Sequence, residues 1–74
     1  MKGGNMTNRV YRIIELVGTS NESIEHAIEN GVSQAKKETQ KLDWFEVIET
    51  RGHIQDGNVN HYQVHLKIGC FDIA

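Results

Sequence analysis

The chain has 74 residues and a formal net charge of −2, from eight basic and ten acidic side chains. Dispersed charge argues against a nucleic-acid partner, and no run of about 18 apolar residues suggests a membrane span, so a cytoplasmic protein is expected. A domain this short has a thin core, and Cys70, as the only cysteine, allows neither an internal disulfide nor a Cys-rich zinc site, so a homo-oligomer is predicted.

The first eight residues are polar and show no periodicity, which predicts a mobile leader over residues 1–8 before a single domain over residues 9–74. Residues Val10 to Val17 are mostly β-formers and predict a first strand that stops at Gly18. Apolar side chains lie on both faces of this strand. Since one helix covers one face, a second subunit is expected on the other.

A helix-capping pattern follows the first strand. Thr19 offers a hydroxyl and Glu22 a carboxylate three positions later, an arrangement that satisfies the first free N–H groups of a helix. Apolar residues then recur at spacings of three and four, which predicts one helix about five turns long with a single apolar stripe. The stripe consists of Ile24, Ala27, Ile28, Gly31, Val32, Ala35, Thr39 and Leu42.

Two β-rich segments complete the chain, Trp44 to Ile54 and Val59 to Phe71. The Asp56-Gly57 pair between them suits the positive φ angles of a tight hairpin turn. The sequence therefore predicts an α+β fold of order β-α-β-β, with the helix lying across one face of a three-stranded antiparallel sheet.

Side-chain alternation assigns the residues of the last two strands to faces. The even set of the last strand is apolar and is predicted to pack on the helix: Tyr62, Val64, Leu66, Ile68 and Cys70. Gln63 belongs to the polar odd set on the opposite, outer face. Assigning Phe45 and Val47 to the core places Trp44 on the outer face with Gln63. Arg51 then lies on the face opposite to that of Trp44, unless a β-bulge near Arg51-Gly52 shifts the alternation.

Three side chains are candidates for binding, and each has a simpler interpretation. Trp44 is an interface anchor or a stacking platform for a planar ligand, and the pattern alone favours the anchor. The Gln63 carboxamide matches the alternating N–H and C=O edge of a flavin or a nucleobase, but such a residue is more often solvated. Arg51 offers a cation to a phosphate or carboxylate, or forms a surface or intersubunit salt bridge.

The remaining reactive residue types do not form a predicted site. His61 and His65 share a strand face but are about 13 Å apart, too far to chelate one ion, so no metal is expected. Cys70 lies on the core face, where a thiol is more often packing than nucleophile. Glu46 and Glu49 have opposite parity and are not an acid/base pair on one face. No catalytic constellation is found, and the protein is predicted not to be an enzyme.

Several separated motifs between Arg9 and Phe71 closely resemble the dodecins, in order and in spacing. These motifs are Val10-Tyr11, Glu15-Leu16-Val17-Gly18-Thr19-Ser20, Asp43-Trp44-Phe45-Glu46-Val47, Arg51-Gly52 and Tyr62-Gln63-Val64. The resemblance implies a β-α-β-β subunit whose sheet wraps around the helix, assembled into a hollow homo-dodecamer. It also implies storage or sequestration of flavins, riboflavin or FMN, without a reaction.

The resemblance also implies roles for the candidate residues. Trp44 side chains from two subunits around a two-fold axis would sandwich a pair of isoalloxazine rings, and the indole can donate an electron to photoexcited flavin. Gln63 would bond the polar edge of the flavin. Arg51 would help to bind the FMN phosphate. The second arginine found near the C-terminus of some bacterial dodecins is absent from the Gly69-Cys70-Phe71 stretch.

Two alternatives to flavin storage remain open at this point. A dodecin-like assembly without flavin would use Trp44 only as an interface anchor. Another phosphate-bearing cofactor, such as coenzyme A, would occupy the same shell.

Overall fold

The computed structural model describes residues 9–72. These form β1 (Val10–Ser20), α1 (Ile24–Lys36), β2 (Leu42–Gln55) and β3 (Asn58–Asp72). The predicted β-α-β-β order is confirmed, and the three strands form one antiparallel sheet in the order β1-β3-β2. The predicted mobile leader, residues 1–8, lies outside the described residues.

The first strand is longer than predicted because Gly18 lies inside it rather than at its end. β1 continues to Ser20, with Gly18 paired opposite Val64 on β3. A Cβ atom added at Gly18 would lie 2.1 Å from the carbonyl oxygen of Ala27. Gly18 therefore allows the helix backbone to approach the sheet closely, a role that a glycine in a strand can have.

The helix begins later and ends earlier than predicted. Its N-cap is Ser23, whose Oγ accepts a 3.0 Å hydrogen bond from the backbone N–H of His26. Thr19 instead belongs to β1, so the predicted capping box is wrong. The helix ends at Lys36, and Leu42 opens β2. Among residues 9–72 no helix has both the length and the apolar character that crossing a membrane requires.

The core lies between the helix and the two strands that it covers, β1 and β3. Its buried apolar residues are Ala27, Ala35, Val64, Leu66, Ile68 and Cys70. The prediction for the even set of β3 is thus confirmed for these last four residues, and Tyr62 is half-buried. The strict alternation along β3 explains this success, because β3 is the central strand and the helix packs directly on it.

The prediction that Phe45 and Val47 belong to the core is wrong for the single chain. They pair with Ile68 and Leu66, so their side chains do face the helix side of the sheet. They are nevertheless 50% and 40% exposed. The helix packs mainly on β1 and β3 and leaves most of β2 uncovered.

The β2–β3 connection is the predicted tight turn. Asp56 has φ 53° and Gly57 has φ 79°, as a two-residue hairpin with positive φ at both positions requires. Strand pairing continues from this turn back to Leu42, opposite Cys70. β2 and β3 therefore form one long ribbon, along which the candidate binding residues are distributed.

Candidate functional site

A β-bulge at Ile48 brings all three candidate binding residues onto the outer face, which is the face of the sheet away from α1. The register of β2 against β3 shifts between Val47 and Glu49. Before the shift, the even residue Trp44 is paired with Gly69, and after it the odd residue Arg51 is paired with Gln63. Directly paired residues of antiparallel strands share a face.

This bulge corrects the assignment of Arg51. Parity without a bulge placed Arg51 on the face opposite Trp44, and the expected phase shift was near Arg51-Gly52. The shift lies three residues earlier, at Ile48, and it moves Arg51 to the outer face. The extra residue in one strand reverses the alternation of every residue after it. For the same reason the prediction that Glu46 and Glu49 lie on opposite faces is wrong, and both are on the outer face.

The indole of Trp44 lies directly on the backbone of the central strand at Gly69. A Cβ atom at Gly69 would be 2.2 Å from Cε2 and 2.4 Å from Cζ2 of the indole. Any other residue at position 69 would occupy the space of the ring. The side chain is still 40% exposed. The structure therefore presents a flat aromatic surface supported from beneath by glycine.

Tyr11 and Asp43 form the border of this aromatic surface. The Tyr11 hydroxyl donates a 2.6 Å hydrogen bond to Oδ2 of Asp43. The ring of Tyr11 lies 5.7 Å from that of Trp44 between centroids, at an interplanar angle of 53°. The hydrogen bond to Asp43 raises the pKa of Tyr11, with smaller contributions from desolvation and from the Asp43 charge. Tyr11 thus links β1 to the residue preceding Trp44.

Sequence reasoning missed this link because β1 and β2 are not neighbours in the sheet. Tyr11 counted only as a strand residue, and Asp43 lies at a register shift between Leu42 and Trp44. The one available signal was the Asp-Trp dipeptide itself. A polar residue at a strand end directly before an exposed indole is a candidate for fixing that indole.

The guanidinium of Arg9 lies 4.1 Å above the ring of Phe71. This cation–π contact is at the same end of the sheet as Tyr11, which is paired with Phe71. Phe71 belongs to the stretch that lacks the second arginine found in some bacterial dodecins. A cation is therefore present at this end of the outer face, and Arg9, the residue directly before β1, supplies it.

Gln63 lies in a different polar group, at the other end of the outer face. Its Nε2 atom is 3.3 Å from Nε2 of His61. His61 in turn stacks on His53, with centroids 5.0 Å apart and an interplanar angle of 13°. Arg51 lies across from Gln63 and forms a 2.6 Å ion pair with Glu49. The arginine charge is therefore already partnered within the chain.

The structure does not bring Trp44 and Gln63 of one chain together. Trp44 is paired with Gly69 of β3, and Gly69 is six positions from Gln63 along that strand. At a rise of about 3.3 Å per residue, this separation is about 20 Å. The two side chains share a face but cannot contact the same small ring system.

Other candidate groups remain separate from these sites. Cys70 is buried, and His65 forms a 2.6 Å contact with Glu15 rather than with His61. Across residues 9–72 there is no group of three or more potential metal-ligating side chains. A cavity of about 130 Å³ lies beside Trp44 on the helix side and is lined by Val32, Leu42, Asp43, Trp44, Phe45 and Ile68.

Comparison with known proteins gives a consistent result. The family model for Dodecin matches residues 10–72. A curated dodecin from Thermus thermophilus is 49% identical over 61 residues, covering 82% of this chain and 88% of the relative. Among solved structures, dodecin from Streptomyces coelicolor has a TM-score of 0.86 and 46% identity, covering 93% of this chain and 99% of its own.

A second solved structure, dodecin from Streptomyces davaonensis, has a TM-score of 0.84 and 43% identity and covers 90% of this chain and 98% of its own. The agreement in sequence and in backbone extends over almost all described residues, including the strands that carry Trp44, Arg51 and Gln63. The chain therefore belongs to the dodecin family.

Proposed function

We propose that this protein stores a flavin, riboflavin or FMN, by stacking its isoalloxazine ring on Trp44 at an interface between subunits, and that it carries out no reaction. The observation that carries the proposal is the indole seated on Gly69, where any side chain would displace it. Aromatic side chains prefer flat, offset stacking partners, and the isoalloxazine ring system is planar. Membership of the dodecin family supports the same ligand class.

The separation between Trp44 and Gln63 supports a site made from two chains. A ring stacked on Trp44 is about 20 Å from Gln63 of the same chain, so the carboxamide at the flavin edge comes from a second copy. The exposed apolar residues of β2 supply the contact surface. The proposed assembly is the hollow homo-dodecamer of the family. The proposed location is the cytoplasm, because a chain with a single cysteine has no internal disulfide that would need an oxidising compartment.

The roles of the polar residues follow from their chemistry. The Gln63 carboxamide offers one acceptor and two N–H donors, which pair with the N–H and C=O groups of the flavin pyrimidine. Arg51 lies across the ladder from Gln63 and is the cation for the FMN phosphate. Its ion pair with Glu49 weakens this contribution, so the proposal gives FMN only a small advantage over riboflavin. Coenzyme A would use the same cation.

The test uses Trp44 as its own reporter, because it is the only tryptophan. Purified protein should show flavin absorption between about 350 and 500 nm, and riboflavin added to the apoprotein should quench the indole fluorescence. Trp44→Ala should weaken riboflavin binding by roughly tenfold to a hundredfold, since stacking contributes about 1 to 3 kcal/mol. Affinity in this variant is followed through the flavin fluorescence. Trp44→Phe, which keeps an aromatic ring, should lose less.

An unchanged affinity in Trp44→Ala would contradict the stacking role. Colourless protein whose indole fluorescence riboflavin does not quench would favour the alternative, a dodecin-like assembly that uses Trp44 only as an interface anchor. In that case Trp44→Ala should reduce the oligomer to smaller species in sedimentation experiments, without any ligand present.

A further inference from the structure

Four polar side chains form a continuous chain on the outer face near the β2–β3 turn. Nδ2 of Asn60 lies 3.3 Å from Nδ1 of His53 and 3.3 Å from Nδ1 of His61. Nε2 of His61 lies 3.3 Å from Nε2 of Gln63. Asn60 reaches both imidazoles because the register shift between His53 and Ile54 makes it an extra residue in β3.

The donors and acceptors of this chain are coupled. A neutral imidazole has one N–H donor and one acceptor nitrogen, whereas a carboxamide nitrogen only donates. His61 has a carboxamide nitrogen beside each of its ring nitrogens, that of Asn60 and that of Gln63. It can accept from only one of them, so the other carboxamide must turn its oxygen toward the ring.

We infer that His61 is a positioning residue, which sets the direction in which the Gln63 carboxamide faces and thereby selects the flavin edge that it recognises. This inference rests on the proposed flavin function. When His61 is neutral and accepts from Nε2 of Gln63, the second N–H of that nitrogen and the oxygen Oε1 are free for the ligand. Both then face a flavin in a fixed order.

Protonation of His61 reverses this order. An imidazolium has two N–H groups and no acceptor, so Gln63 must present Oε1 to it. The positions of the oxygen and the N–H group offered to the ligand are exchanged. A flavin held in place by Trp44 then meets an acceptor where it has a carbonyl, and a donor where it has its N–H. The isoalloxazine ring must shift on the indole or lose these hydrogen bonds.

The charged and titratable groups around this chain are few. From β2, His53 stacks on His61, and Arg51 lies opposite Gln63. Arg51 forms an ion pair with Glu49. On the β1 side Gln63 is paired with the neutral Thr19. The nearest further histidine along β3 is His65, which contacts Glu15. The helix lies on the opposite face of the sheet and contributes no group.

The experiment measures riboflavin affinity by fluorescence between about pH 8 and about pH 5.5, the range in which histidine gains its second ring proton. The wild-type dissociation constant should rise about threefold to tenfold as the pH falls, as expected for the loss of one hydrogen bond. His61→Phe keeps a ring to stack on His53 but cannot form a hydrogen bond with Gln63, and it should remove this pH dependence. His61→Gln, which can still donate and accept but does not titrate, should remove it too.

Two controls separate this role from a structural one. His65→Gln changes a histidine on the same strand and face whose Nε2 is bonded to Glu15 and not to Gln63, and it should keep the wild-type pH profile. N3-methylriboflavin lacks the N–H that Oε1 accepts from but keeps the carbonyl that accepts from Nε2, so its binding should be weaker and should depend less on pH than that of riboflavin.

The possible failures are distinguishable. Wild-type protein that binds no riboflavin at any pH would overturn the proposed function. Wild-type protein that binds riboflavin with a pH profile that both His61 variants retain, or that lacks any weakening at low pH, would overturn the role of His61 and leave flavin storage intact.

Discussion

Gly69 is the residue on which the stacking surface depends. We predict that Gly69→Ala lowers riboflavin affinity by at least about tenfold, because its Cβ would lie 2.2 Å from the indole and push Trp44 out of place. The backbone conformation should be unaffected, since Gly69 lies in a regular strand pair with Ile13. Isothermal titration with riboflavin and thermal unfolding of the same sample measure the two effects.

Gly57 provides the matched control. A Cβ atom at Gly57 would meet no atom within 4 Å, but the residue has φ 79° in the hairpin turn. Gly57→Ala should therefore destabilise the fold by about 1 to 2 kcal/mol through backbone strain and leave riboflavin affinity unchanged. If Gly69→Ala lost stability and affinity in the same proportion as Gly57→Ala, Gly69 would have no special role beneath the indole.

Glu49 sets the charge that Arg51 can offer to a ligand. We predict that Glu49→Gln increases the affinity for FMN relative to riboflavin by about twofold to fivefold, because it removes the carboxylate 2.6 Å from the guanidinium. Both side chains are partly exposed, so the gain should shrink at high salt. Competition titrations of FMN against riboflavin measure the ratio.

The control for this prediction is Glu46→Gln. Glu46 lies on the same face and strand as Glu49 but is paired with Lys67, five residues before Arg51. The Glu46→Gln substitution also removes one negative charge from β2, but not the one beside the Arg51 guanidinium. An equal change in the FMN to riboflavin ratio for both variants would show a general effect of net charge and would contradict a specific role for Glu49.

At the scale of elements, the Tyr11–Asp43 hydrogen bond joins the two edge strands, β1 and β2, across the central strand β3. It raises the pKa of Tyr11, so the folded chain favours the protonated phenol. The stabilisation from this bond is therefore present at neutral pH and is lost as the pH rises above the ordinary tyrosine range, through the raised pKa. We predict that Asp43→Asn lowers the midpoint of Tyr11 ionisation in an alkaline absorbance titration.

Tyr11→Phe assigns this signal, because the ionisation that moves in Asp43→Asn should be missing from the Phe variant. Both variants should also broaden the fluorescence of Trp44, whose ring lies 5.7 Å from that of Tyr11. A midpoint unmoved by Asp43→Asn would mean that the carboxylate does not hold the phenol in solution.

The elements also show which features a sequence can predict. The faces of β3 followed from alternation because this strand has one helix-covered face and no bulge between Gln63 and Cys70. The shift at Ile48 was not predictable, because it arises from the pairing of β2 with β3 and not from the composition of β2. The capping hydroxyl was assigned to Thr19 because local pattern does not reveal that β1 extends to Ser20.

The candidate site was predicted only in part, because alternation predicts the face of a residue but not its neighbours on other strands. Parity placed Trp44 and Gln63 on one face, and the structure agrees. Parity gives no distance along a strand, so it did not reveal that the two residues are about 20 Å apart. The links from Tyr11 to Asp43 and from His61 to Gln63 depend on which strands are neighbours and on a bulge, neither of which the local sequence specifies.

At the scale of the whole molecule, the single chain leaves apolar side chains uncovered on both faces of its sheet. Ile13 and Val17 are exposed on the outer face, and Phe45 and Val47 on the helix side of β2. A chain of this size gains too little from its own core to leave such groups in water. The surface that completes the fold and the surface that completes the proposed flavin site would thus be formed by the same neighbouring subunits.

Mixed assemblies test whether one site takes Trp44 and Gln63 from different chains. Trp44→Ala and Gln63→Leu should each bind riboflavin weakly when expressed alone. Co-expressed, they should form some sites with Trp44 from one chain and Gln63 from the other, and a fraction of sites should recover the affinity of the wild type. Riboflavin titration of the co-expressed oligomer measures that fraction. The comparison is a mixture of the two variants that were expressed and assembled separately. If both residues of a site came from the same chain, no site in the mixed oligomer would contain both, and the titration would show weak binding only.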